Sequence, residues 1–276
     1  MSKRIILPIG IMLILGIFIG WYAAGLFHPT GEERIVVFAG AAATPVYEEA
    51  AKLFEKRYGI KVELILSGSG KVLSAMTITK RGDLFIPGSP EYMLKAMRQG
   101  VVDNSTVQKL AYLMPAIIVQ KGNPKNITSL EDLSKPGVRV GIGDPQSVCV
   151  GLYAKEILER SDLWERVKPN IVTYAPSCSA TASLIPTKSV DAIVGWHVFH
   201  YWYPNKSEIV WIKPERIHKI SCITGTVTNF TQNREGALMF LEFLKSKEVK
   251  EIWRKYGYFA TFEEAKVHAP NATTAI

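Results

Sequence analysis

Three cysteines and one histidine are the residues of this 276-residue chain best suited to soft-ligand or nucleophilic chemistry. Cys149 lies within Gly141–Leu158, and Cys178 within Pro176-Ser177-Cys178-Ser179. Cys222 sits in the apolar run Ile220–Val227, and His197 just past Asp191-Ala192-Ile193-Val194-Gly195. Three thiolates and an imidazole form a tetrahedral soft-metal set, and three thiolates alone suit a trivalent centre such as arsenite. A cysteine nucleophile with His197 as its base is the enzymatic alternative. The plain alternative is a Cys149–Cys178 disulfide with Cys222 as a buried apolar thiol. The spacing Cys-x28-Cys-x43-Cys matches no metal-binding motif.

The elements around these residues suggest a second chemistry. Val138–Ile142 is short and apolar, as a buried strand should be, and Asp144-Pro145 breaks it. A helical pattern begins at Val150. A loop that feeds a helix start presents unpaired N–H groups and the positive end of the helix dipole, which suits an anion. Ala41–Thr44 and Ser67–Lys71 are two further loops of this kind, following the predicted strands Arg34–Ala39 and Ile60–Leu66.

Thr44 is expected to cap a helix with Pro45 at its first position. Val46, Ala50, Leu53 and Phe54 form its apolar stripe and Gly59 its end. A helix over Val72–Ile78, a strand over Asp83–Ile86 and a helix over Pro90–Gln99 continue the rhythm. Such alternation predicts a mostly parallel sheet with helices on both faces and working loops at the carboxyl ends of the strands.

A second unit follows. Pro115–Gln120, Ile171–Tyr174, Asp191–Gly195, Glu208–Ile212 and Ile220–Val227 read as strands, and Thr128-Ser129-Leu130-Glu131 reads as a capping box. Helices over Arg234–Leu244 and Glu248–Tyr256 finish the pattern. Two α/β lobes with a cleft between them are the expected architecture.

Ile5–Phe27 is 23 residues without a charge, preceded by Lys3-Arg4. That length can cross a bilayer, and the basic flank keeps the N-terminus inside. An uncleaved anchor is favoured over a cleaved signal peptide, because Tyr22-Ala23-Ala24-Gly25 is a poor cleavage site. The rest of the chain then lies outside the cell. Five Asn-x-Ser/Thr sequons, at Asn104, Asn126, Asn205, Asn229 and Asn271, agree with export. The net charge of +8 favours anionic partners, and no run of basic residues interleaved with aromatics points to nucleic acid.

The chain resembles the exported solute-binding proteins of ABC importers, in particular the molybdate/tungstate-binding family. The resemblance is carried by Phe38–Thr44, Ser67–Lys71, Gly82-Asp83-Leu84-Phe85-Ile86, Gly143–Glu156, Phe240–Ser246 and Lys255-Tyr256-Gly257-Tyr258, in that order. It implies a type II, periplasmic-binding-protein-like α/β fold of two lobes joined by hinge strands. Its expected divisions are an N-terminal membrane anchor or uncleaved signal over 1–30, one lobe over 31–114 with 223–267 returning to it, a second lobe over 115–222, and a flexible tail over 268–276. It also implies an ABC permease as partner, a monomeric receptor, no catalysis and no cofactor, with any soft metal being cargo.

In that family a tetrahedral oxyanion is held by backbone N–H groups and hydroxyls without counter-charges. The contacts carry over to Ala42, Ser69, Val148 and Gly195, with Ala43, Thr44, Ser67 and Cys149 beside them. Two positions depart from the family, which usually has serine at Ala42 and tyrosine at Gly195. Each lost hydroxyl weakens binding by about 0.5–1.5 kcal/mol unless Thr44 or water replaces it. Iron-binding relatives carry adjacent tyrosines just after this strand. Here those places read His197-Val198, so ferric binding is not supported.

Overall fold

The computed structural model describes residues 33–275. They form two five-stranded sheets. The first has the order β2 (Lys61–Ser67), β1 (Arg34–Gly40), β3 (Leu84–Ile86), β10 (Ser221–Val227), β4 (Gln108–Leu113). The second has the order β7 (Ile171–Ala175), β6 (Val140–Gly143), β8 (Ala192–Trp196), β5 (Pro115–Gln120), β9 (Ser207–Val210). In each sheet three parallel strands lead and two antiparallel partners complete the edge. The predicted two-lobed α/β architecture is therefore observed.

The parallel strands are apolar because helices cover both faces. In β1 every residue after Arg34 is buried. The helix Thr44–Tyr58 lays Val46, Tyr47, Ala50, Ala51 and Phe54 inward, and Phe54 packs against Phe240 and Phe243. Gly59 ends it with φ of 71°, a left-handed position that costs glycine little.

Each lobe is pinned by an aspartate at the head of a central strand. The Asp83 carboxylate accepts from Val36 N at 2.7 Å, Thr231 Oγ1 at 2.7 Å, Gln232 N at 2.9 Å and Asn233 N at 3.1 Å. Asp191 accepts from Arg139 N at 2.8 Å and from its guanidinium at 3.0 Å. Burial pushes the Asp191 carboxyl up, but the Arg139 bonds outweigh it and hold the group below the usual carboxylate value.

Three local expectations are corrected. Thr44 does not cap its helix: the cap position is Ala43, without a side-chain bond, and Thr44 is the first helical residue. The Thr128 capping box is not formed. Instead the Asp132 carboxylate accepts from Thr128 N, Thr128 Oγ1 and Ser129 N at the head of the short 3-10 turn Glu131–Ser134. Asp132 is one residue beyond the motif's glutamate and does the same work, because a 3-10 turn advances faster per residue than an α-helix.

The third correction concerns the end of the chain. It does not stay with the first lobe up to 267 and then run loose. From Phe259 onward it packs on the second lobe, with Ala265, Ala269 and Ala272 buried there. Thr273 exchanges backbone bonds with His218 and Ile220. The chain thus passes between the lobes near Met114, near Ile220 and at Tyr258-Phe259. The proposed membrane anchor lies outside the described residues. Among those described, no helix is long and apolar enough to cross a membrane.

Candidate functional site

The carboxyl ends of the parallel strands from both sheets face one cleft. Ala41–Ala43 follows β1, the helix Ser69–Thr79 follows β2, and Pro87–Ser89 follows β3. From the other side come the helix Cys149–Arg160 after β6, Cys178–Ser183 after β7, and His197 after β8.

The two walls touch. Thr44 Oγ1 and Ser179 Oγ are 2.9 Å apart, and Ser179 also donates to Ala41 O. Gly70 N donates to Ser147 O at 3.0 Å, and Tyr92 OH to Gln146 O at 3.3 Å. Tyr153 OH donates to Glu91, and Lys219 bridges Glu91 and Glu156. One contiguous apolar core runs through both walls, including Val72 and Leu73 on one side and Val148, Val150 and Trp196 on the other.

At the bottom of the cleft Ala42, Ser69, Gly88 and Cys149 meet. Ser69 Oγ accepts from Gly88 N at 3.1 Å, and Ser221 Oγ donates to Gly88 O. A β-carbon on Gly88 would lie 2.6 Å from Ala42 Cβ and 2.7 Å from Cys149 Sγ, so only glycine lets the walls come this close. Ala43 is buried behind Ala42, and Ser67 ends β2 opposite Gly40. The sequence-predicted residues Ala42, Ser69 and Cys149 are thus gathered at the cleft floor, with Thr44 at the contact with Ser179.

Two predicted contacts fall elsewhere. The backbone N–H of Val148 is already spent on Asp144 O at 2.9 Å, as the cap of its own helix. Gly195 belongs to β8, and a β-carbon there would press on Phe199 at 2.8 Å. Alternation along the strand turns the next residue, Trp196, the opposite way. Its ring packs on Tyr153 at 4.9 Å, and its indole N–H lies beside the cleft sulfurs, aligned to neither and without another partner.

Sequence reasoning missed Trp196. It also missed two other buried hydroxyls without a partner: Tyr47, which faces Cys149 and Cys178, and Ser89, beside Gly88. Full burial of a donor in an apolar run was the one available signal, since such groups normally find an acceptor.

The four-residue metal set is not gathered. Cys149 and Cys178 sit with sulfurs 3.3 Å apart, both buried and unbonded. Cys222 lies on β10 opposite Tyr112, its side chain packed with the apolar core of the second lobe, where burial pushes its thiol up to about 12. His197 has both ring nitrogens taken by backbone: Nδ1 accepts from Met114 N at 3.2 Å and Nε2 donates to Gly257 O at 2.8 Å. Burial pushes its pKa down to about 4, and Phe259 stacks on its ring. Among the described residues no group of three or more His, Cys, Asp or Glu is placed to hold a metal ion. The enzymatic alternative also loses its base, because His197 has no free nitrogen for a thiol.

Two α/β lobes closing on a floor of neutral donors define a ligand-binding protein. The family model described as bacterial extracellular solute-binding protein matches residues 35–259, and the chain belongs to that family. The molybdate-binding protein ModA of Escherichia coli (strain K12) is 27% identical over 242 residues, covering 82% of this chain and 89% of that protein. Among solved structures, the Azotobacter vinelandii periplasmic molybdate-binding protein superposes with a TM-score of 0.72 at 18% identity, covering 83% of this chain and 100% of that one. The sulfate-binding protein SubI of Mycobacterium tuberculosis H37Rv superposes with a TM-score of 0.75 at 16% identity, covering 85% and 89%. At those identities the structural likeness is one of fold. The relatives are substrate-binding proteins rather than enzymes.

Proposed function

We propose that this protein captures a small tetrahedral oxyanion, molybdate or tungstate, in the inter-lobe cleft and delivers it to an ABC permease. It acts as a monomer on the outer side of the membrane, held by its N-terminal segment. The observation that carries the reading is the set of buried, unpartnered donors at the cleft floor: Tyr47 OH, Ser89 Oγ and Trp196 Nε1. With Ser69 they are all neutral. Neutral donors suit an oxyanion, because a charge-assisted hydrogen bond is strong in a dry site and needs no buried counter-charge. A buried donor without an acceptor costs about 1–3 kcal/mol, and a ligand oxygen would relieve it. Trp196 takes the role that the family resemblance assigned to Gly195.

Calorimetry of the full chain with molybdate, tungstate and sulfate tests this. Binding of molybdate or tungstate, with domain closure seen as a smaller radius of gyration by X-ray scattering, is the expected result. Failure of all three anions to bind would refute the assignment.

A further inference from the structure

Cys149 and Cys178 do more than fill the cleft floor. Their sulfurs are 3.3 Å apart and both are buried. A disulfide bond is about 2 Å long, so the pair needs to close by little more than about 1 Å. Cys222 is kept apart from them, in the core of the other cluster. Cys149 sits at the cleft floor beside Ala42, Ser69 and Gly88, the place assigned to the ligand. Burial pushes both thiols up. At Cys149 the hydrogen bond from Cys178 outweighs it and leaves the thiol below its ordinary value, whereas Cys178 stays well above. Of the two, Cys149 is therefore the more readily ionised.

We propose that Cys149 and Cys178 are a reversible dithiol–disulfide couple in the cleft floor, and that its redox state sets the affinity of the cleft for the anion. The second clause rests on the oxyanion reading of the cleft. In the reduced form Cys149 ionises more readily than an ordinary thiol, and a thiolate at the floor repels an anionic ligand. In the oxidised form the sulfurs are neutral and drawn together.

The oxidant is a low-molecular-weight disulfide. The Cys149 thiolate attacks one of its sulfurs, forms a mixed disulfide and expels one thiolate. Cys178 gives up its proton and attacks the Cys149 sulfur, expelling the second thiolate. One S–S bond forms within the protein, and the two electrons and two protons leave with the small disulfide as two thiols. Gly88 and Ala42 cover Cys149 when the lobes are together, so the reagent enters only while they are apart.

The test treats the native full chain with hydroxyethyl disulfide, then measures intact mass and maps alkylated cysteines. The expected result is loss of two hydrogens, a Cys149–Cys178 linkage, Cys222 still alkylated, and full reversal by dithiothreitol. Calorimetry with molybdate then compares the two redox forms. The oxidised form should bind at least about tenfold tighter, as removal of a like charge at close range predicts. The double variant C149S/C178S should give one affinity with or without reductant.

No linkage, or linkage with equal affinities in the two forms, overturns the inference and leaves the oxyanion reading standing. Linkage with no oxyanion bound by either form overturns the oxyanion reading and the redox control of affinity, while the couple itself stands. The wild-type comparison needs no variant to fold.

Discussion

Gly68→Ala should separate closure from stability. Gly68 has φ −59° and ψ 140°, a conformation alanine adopts without strain. Its added methyl would meet Ser147 O at 2.8 Å, Pro176 O at 3.0 Å and Val148 Cγ2 at 3.1 Å. All three belong to the opposite lobe, and two are backbone atoms that cannot rotate away. Overpacking of this kind costs about 1–3 kcal/mol. With the lobes apart the clash vanishes, and the loss of glycine's unfolded-state freedom stabilises the chain by about 0.4–1 kcal/mol. The penalty therefore falls on the closed form alone. At about 1.4 kcal/mol per factor of ten, oxyanion affinity should drop about 5- to 150-fold, while the thermal midpoint stays level or rises slightly. Calorimetry gives the affinity, X-ray scattering the population of closed molecules, and calorimetric melting the stability. A variant that closes and binds as the wild type does would show that the walls do not meet at Gly68, and the reasoning would fail.

Asp83→Ala leaves the buried Val36 N–H and the Gln232 N–H without their carboxylate acceptor, and urea unfolding should show a loss of at least about 2 kcal/mol. Trp196→Phe removes the one indole donor at the cleft floor; calorimetry on oxidised protein should show binding weaker by about 1.5–3 kcal/mol, and unchanged affinity would remove the indole from the site. His197 is held neutral with a pKa of about 4, below its unfolded value of about 6.5. The unfolded chain therefore binds the extra proton first. The stability due to this group is complete above about pH 6.5 and is lost progressively down to about pH 4, by about 3 kcal/mol in all. Unfolding measured across that range should lose this slope in His197→Gln.

Much of the architecture is written locally. The apolar runs at Arg34–Ala39 and Asp191–Gly195 and the stop at Gly59 place the strands and helices to within a residue or two of where they lie. The loops at Ala41–Thr44, Ser67–Lys71 and Gly143–Cys149 do converge, because strand order and right-handed crossovers force the carboxyl ends to one side. What sequence reading missed depends on partners far along the chain. Gly195 and Trp196 point to opposite faces by the alternation of a strand that sequence alone does not orient. Val148 was lost as a donor because its loop turns back on Asp144. His197 was an imidazole free for chemistry only until Met114 and Gly257, from two distant segments, closed on it. The C-terminal run reads as loose from sequence because Ala269 and Ala272 are too small and too sparse to signal burial alone.

The three passages of the chain between the lobes have a mechanical consequence. A single linker would let one lobe swivel freely, and two would still allow a twist about their common line. Three strips, near Met114, Ile220 and Tyr258-Phe259, behave like the leaves of a flexure: compliant to bending in one direction and stiff to torsion. His197, wedged between Met114 and Gly257, ties two of the leaves together at their waist. The lobes are thus guided along one arc, and Gly68 and Gly70 return to the same seat against Ser147 at each stroke. Registry of the donor set on the two walls is then a property of the joint as much as of the walls.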